Sequence, residues 1–124
     1  MVDDRTRIET NASFALNYIS ILHQYIAQCD NNYEEFVENK MAQDACITQI
    51  NNTTQCTNRI RDNQPELYKK YFASRHQKGL TGMRKRMVHD YESVRPEFIW
   101  DFILKDVPQL EAIFQKILSD HSSK

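Results

Sequence analysis

Glycine occurs twice and proline three times in this chain of 124 residues. A protein made mainly of β-strands turns often, and turns draw on glycine, proline or their substitutes. The scarcity of both therefore predicts a helical fold. No run of about 18 apolar residues exists, so nothing is expected to span a membrane. The opening residues, MVDDRTRIET, are acidic and have no apolar centre, which argues against a secretory leader. Cysteine is also sparse: Cys29, Cys46 and Cys56 are odd in number and form no C-x-x-C pair. That usage fits reduced thiols in a cytoplasmic protein, and neither a disulfide framework nor a zinc site. The N-x-S/T patterns at Asn11 and Asn52 then have no consequence.

The chain is long enough for one domain with one modest core. Its net charge is −1, but the charges are sorted. Between Lys69 and Arg86 all seven charged residues are basic: Lys69, Lys70, Arg75, Lys78, Arg84, Lys85 and Arg86. Asp30, Glu34, Glu35, Glu38 and Asp44 face only Lys40 in the stretch from 30 to 44. Such runs are either solvated faces or, for the basic one, a local phosphate-binding surface.

Ile8, Ala12, Ala15, Ile19, Leu22 and Ile26 recur in steps of four and three, the helical period. The turn-forming CDNN at 29–32 follows, and a second helix can start near Asn32 or after the polar ENK at 38–40. Ala42, Cys46, Ile50, Thr53, Thr57 and Ile60 keep the period in a stretch of poor helix propensity. A short helix is expected from Pro65, capped by Asn63 or Gln64 and faced by Leu67, Tyr68, Tyr71 and Phe72. A fourth is expected from about Gly79–Thr81 to His89. Ile99, Ile103, Val107, Leu110, Phe114 and Ile117 stay in step across Pro108, so one helix starting at Pro96 and kinked at Pro108 is expected. The sum is an all-α antiparallel bundle of four to five helices, one domain over 1–118, with a polar, frayed tail over 119–124.

The segment GMRKRMVHDY, residues 82–91, carries the chemistry. On a helical wheel Leu80, Met83, Met87 and Val88 form one stripe, with Arg84 inside it and Tyr91 close to the same line. A guanidinium there must snorkel, pair with a carboxylate or line a wet cleft, since burying it alone is expensive. His89 lies about 140° round from Arg84 and about 7.5 Å along the axis. Either the helix ends at His89, or two chains face each other so that both copies of Arg84 and His89 line one cleft. Arginine grips a phosphate with two parallel hydrogen bonds, and histidine passes protons near neutral pH. Together they can cleave RNA without a metal, through attack of the ribose 2′-hydroxyl on the adjacent phosphate. His23, His76 and His121 have no metal-ligand spacing with His89 or each other.

Arg84, four residues, His89, one residue and Tyr91 resemble the signature of the HepT family, a branch of the HEPN superfamily of small helical RNases. The following ESVRPEFIWDFILKDVPQLEAIFQKIL and the preceding MAQDACITQI are similar to the family's flanking helices, over about residues 40–118. The resemblance implies a homodimeric bundle with both motifs at the interface. It implies a toxin of a toxin–antitoxin pair, a metal-independent, cofactor-free endoribonuclease with Arg84 and His89 catalytic. Arg75, Lys78, Lys85 and Arg86 would then bind RNA phosphates. The implied partner is an MntA-type nucleotidyltransferase antitoxin that transfers AMP to the motif tyrosine, here Tyr91. The superfamily commonly has Asn, Asp or His where this chain has Lys85, and lysine accepts no hydrogen bond. The tryptophan often found upstream of the motif is absent as well. A second reading is a non-catalytic, nucleotide-holding companion subunit of a nucleotidyltransferase, and a third is a plain structural interaction module.

Overall fold

The computed structural model describes residues 7–72 and 95–121. Within them lie six helices: α1 (Ile8–Gln28), α2 (Tyr33–Val37), α3 (Lys40–Asn63), α4 (Pro65–Tyr71), α5 (Pro96–Lys105) and α6 (Val107–His121). No strand occurs among the described residues, and no described helix is long and apolar enough to cross a membrane. The fold is an all-α bundle.

Helix α1 is the central element, packed against α3 and α6. All six residues of its stripe, Ile8 to Ile26, are buried. His23 Nε2 meets Glu111 Oε1 at 3.2 Å near the start of α6, while Arg7 shares a groove with Leu118 and His121 near its end. The two helices therefore run antiparallel. Helix α1 stops in a Schellman arrangement: Asn31 N–H donates to Ile26 O and Asp30 N–H to Ala27 O. Asp30 and Asn31 take φ of 56° and 53°, a region that Asp and Asn enter more easily than most side chains.

Both alternatives for the second start are used. Asn32 Oδ1 accepts from Glu35 N–H and begins α2, and Asn39 Oδ1 accepts from Ala42 N–H and begins α3. These caps satisfy donors that the helix leaves open. Helix α2 is brief but buries Phe36 completely.

Helix α3 forms through the unpromising NNTTQCTN. Thr53, Thr54 and Thr57 are buried, and their hydroxyls donate to Gln49 O, Ile50 O and Thr54 O at 2.8, 2.9 and 2.7 Å. Each hydroxyl is satisfied by its own helix, so threonine can face the core. Tertiary burial outweighs the propensity deficit of a few tenths of a kcal/mol per residue.

The expected single C-terminal helix is instead two, α5 and α6, divided at Asp106. Pro108 has no N–H to donate to Leu104 O, so the ladder lapses there. Asp106 stays in the α region (φ −92°, ψ −38°) and its N–H bonds Phe102 O. The phase of the stripe survives, and Ile99, Ile103, Val107, Leu110, Phe114 and Ile117 are all buried. This division and the short α2 raise the helix count above four to five. Helix α6 continues to His121, beyond the point where the polar composition suggested fraying.

Candidate functional site

The residues singled out in the sequence, Arg75, Lys78, Arg84, Lys85, Arg86, His89 and Tyr91, lie outside the described residues. The helix expected near 79–89 lies there too. The structure instead defines the two anchors from which the intervening segment departs and returns.

The departure point is the end of α4. Phe72 is 3% exposed. It stacks on Tyr68 with ring centroids 4.9 Å apart and sets an edge on Phe114 at 5.8 Å. One residue earlier, the Tyr71 hydroxyl donates to Asp120 Oδ2 at 2.7 Å and lies 3.3 Å from His121 Nε2. Its proton being committed to Asp120, Tyr71 receives the His121 contact as an acceptor, with Nε2–H donating. Desolvation, then the hydrogen bond and charge of Asp120, push the Tyr71 phenol up to about 12. The same hydrogen bond holds the Asp120 carboxyl below its ordinary value. Sequence reasoning missed this cluster. Tyr71 and Asp120 are 49 positions apart, and no local pattern links them.

The return point is the start of α5, where Pro96 occupies the first turn. Ile99 is fully buried, and Trp100 tilts against Phe36 at 5.2 Å and Tyr33 at 5.6 Å. Phe72 and Trp100, which flank the segment, are thus each seated against other aromatic rings.

Of the seven basic residues, Lys69 and Lys70 are described. Lys69 is exposed and only loosely paired with Glu66, at 3.9 Å. The Lys70 ammonium lies 5.3 Å from the centroid of the Tyr71 ring, a cation–π contact. The acidic stretch rims a separate cleft of about 640 Å³, with Glu34, Glu35 and Glu38 at its edge.

The cysteines offer no nucleophile. All three are free and buried. Burial, then the neighbouring Cys29, raises Cys46 to about 12, and burial raises Cys56 to about 11 despite Arg59. Burial, followed by the charges of Glu35 and Asp30, also raises Cys29. No cluster of three or more metal-ligating side chains occurs among the described residues.

The family model described as ribonuclease HepT-like matches residues 15–117. The chain belongs to the ribonuclease HepT-like family. Both anchors' core aromatics, and all of the segment between them, fall inside the match. A protein of Methanocaldococcus jannaschii named "Putative RNase MJ0125" is 27% identical over 77% of this chain and 78% of its own length. One of Caldanaerobacter subterraneus subsp. tengcongensis, named "Putative RNase TTE0752", is 26% identical over 70% of this chain and 74% of its own. A further Methanocaldococcus protein, named "Putative RNase MJ1216", is 26% identical over 74% of this chain and 73% of its own. No solved structure matches. The HepT-like match spans both anchors and the residues 73–94 between them, which include Arg84, His89 and Tyr91.

Proposed function

We propose that this HepT-like chain is a metal-independent endoribonuclease, the toxin of a toxin–antitoxin pair. The observation that carries this is the family match over 15–117, which encloses Arg84, His89 and Tyr91 at the motif spacing. Arg84 binds the scissile phosphate through its guanidinium fork and offsets charge developing on the equatorial oxygens. His89 is the general acid or base. The ribose 2′-oxygen loses its proton and attacks phosphorus. The bond to the 5′-oxygen breaks, and that oxygen leaves protonated. The products are a 2′,3′-cyclic phosphate and a 5′-hydroxyl. Arg75, Lys78, Lys85 and Arg86 hold neighbouring phosphates.

The working unit is a homodimer, in which two copies of Arg84 and His89 face one cleft. This arrangement resolves the angular mismatch of the two residues on one helix and covers the stripe of Leu80, Met83, Met87 and Val88. Silencing falls to an MntA-type nucleotidyltransferase. The Tyr91 oxygen attacks the α-phosphorus of ATP, pyrophosphate leaves, and the phenolic proton passes to solvent. The added AMP brings a charge of about −1 beside Arg84 and a purine that blocks the cleft. The protein acts in the cytoplasm, where RNA and ATP are both present.

Growth of cells expressing this chain against its His89→Ala form tests the toxin. Arrest with the first and normal growth with the second is the expected pair. Equal growth of the two, at equal protein level, refutes it and favours the companion-subunit reading, to which Lys85 in the motif lends support. Incubation with ATP, Mg²⁺ and the partner should add AMP to the chain but not to Tyr91→Phe. AMP on another residue removes Tyr91 from this role.

A further inference from the structure

A groove of about 590 Å³ runs between the first turns of α1 and the last turn of α6. That volume suits a single nucleotide. All the residues lining it lie outside the span 15–117 that places the chain in its family.

Thr10, Ser13 and Phe14 stand on one face of α1 at i, i+3 and i+4. Phe14 is 42% exposed, an aromatic ring that the core leaves on the groove wall. Leu118 supplies a second apolar wall from α6. A flat ring entering here can meet the Phe14 ring and the Leu118 side chain. The polar side chains that line it are those of Arg7, Glu9, Thr10, Ser13 and His121, and the Glu9 carboxylate can only accept. An aromatic platform beside hydrogen-bonding groups is how proteins read unpaired bases of single-stranded RNA. Among the common bases, guanine presents two adjacent donors, N1–H and the 2-amino group, on one edge. A carboxylate accepts both at once.

The groove also adjoins the end of α4. His121 lines it and lies 3.3 Å from the Tyr71 hydroxyl. Tyr71 ends α4 two residues before position 73, the start of the segment that carries Arg84 and His89. Lys69 and Lys70 stand on that same last turn of α4, as cations for the phosphates of a bound strand.

We infer that this groove is a base-binding subsite for single-stranded RNA, in which Phe14 stacks on one unpaired base, preferentially guanine, and Glu9 accepts from its edge. The inference rests on the ribonuclease reading for the identity of the strand. Binding is therefore measured apart from cleavage. In a full-length His89→Ala background, a labelled 12-nucleotide RNA containing guanine is titrated by fluorescence anisotropy, beside an all-uridine RNA of equal length. Phe14→Ala should weaken binding of the guanine-containing RNA about 10-fold, and Phe14→Trp should restore it. Glu9→Gln should reduce the preference for guanine over uridine by about 10-fold. Circular dichroism of each variant verifies the fold, which the exposed position of Phe14 and the half-buried one of Glu9 should leave intact. Equal affinities for Phe14→Ala and its parent overturn the subsite, even if the His89-bearing chain cleaves RNA. Phe14-dependent binding by a chain whose His89 form cuts no RNA upholds the subsite and overturns the ribonuclease reading instead. If only free nucleotide binds at Phe14, and the 12-nucleotide RNA does not, the RNA assignment is wrong.

Discussion

Gln43 is buried, and its side-chain amide donates to two backbone carbonyls, Phe36 O and Val37 O, each at 2.9 Å. Helix α2 ends there, so these are carbonyls that no further turn of helix serves. Phe36 O also accepts from Asn39 N–H and keeps one partner when Gln43 is removed. Gln43→Ala therefore costs about 1 kcal/mol for each of the two hydrogen bonds, with the larger share at Val37 O. The one lost methylene, Cγ, adds about 0.8 kcal/mol. The sum, roughly 3 kcal/mol, corresponds to a fall in Tm of about 10 °C for a chain of this length. Gln43→Met keeps the aliphatic volume and should cost only about 2 kcal/mol. Gln43→Glu should be worst near neutral pH, because an ionised carboxylate would face two carbonyl oxygens with no proton to offer. That variant should regain stability as pH falls and the carboxyl gains a donor. Urea unfolding followed by circular dichroism gives the order. Fluorescence of the sole tryptophan, Trp100, follows the region itself, since it rests on Phe36 beside this joint. A Gln43→Glu protein as stable as the parent at pH 7 would refute the reasoning.

The phenol of Tyr71, raised from about 10 to about 12 in the fold, gives a stabilising contribution present below pH 10 and lost as pH rises to 12. The urea midpoint of the parent should fall across that window, and that of Tyr71→Phe should fall less; parallel curves contradict the assignment. At pH 8 a thiol reagent should leave Cys46 and Cys56 unmodified in the folded chain and titrate all three cysteines in urea. Rapid native reaction at either would show that the core around them opens. Light scattering should give about twice the 14.7 kDa chain mass, and a monomer at micromolar concentration would count against a cleft shared by two copies.

The long stripes were readable because their spacing is the helical period itself, and in α1, α3 and the pair α5–α6 the same residues form the core. Asn32 was readable as a start because a side-chain oxygen at a helix N-terminus has a defined partner, whereas the other start was expected after ENK at 38–40 and its cap, Asn39, lies inside that run. The split at Asp106 was less so. A proline in a stripe that keeps its phase is compatible with either a kink or a break, and the choice depends on one backbone hydrogen bond. The Tyr71–Asp120–His121 cluster was invisible because its members meet only when α4 lies against the end of α6. The same holds for the groove at Phe14, which needs the antiparallel pairing of α1 and α6. For the candidate site the sequence remains the source. Arg84, His89 and Tyr91 are candidates by their spacing, within the span of the family match, and the structure contributes the aromatic anchors at Phe72 and Trp100.

Cleavage of RNA by the purified chain in the presence of EDTA, with the new ends identified, tests the central claim most directly. The account predicts fragments ending in a 2′,3′-cyclic phosphate from the parent chain, and none from a folded His89→Ala protein. Cleavage that stops on chelation, or that His89→Ala performs equally well, would contradict it.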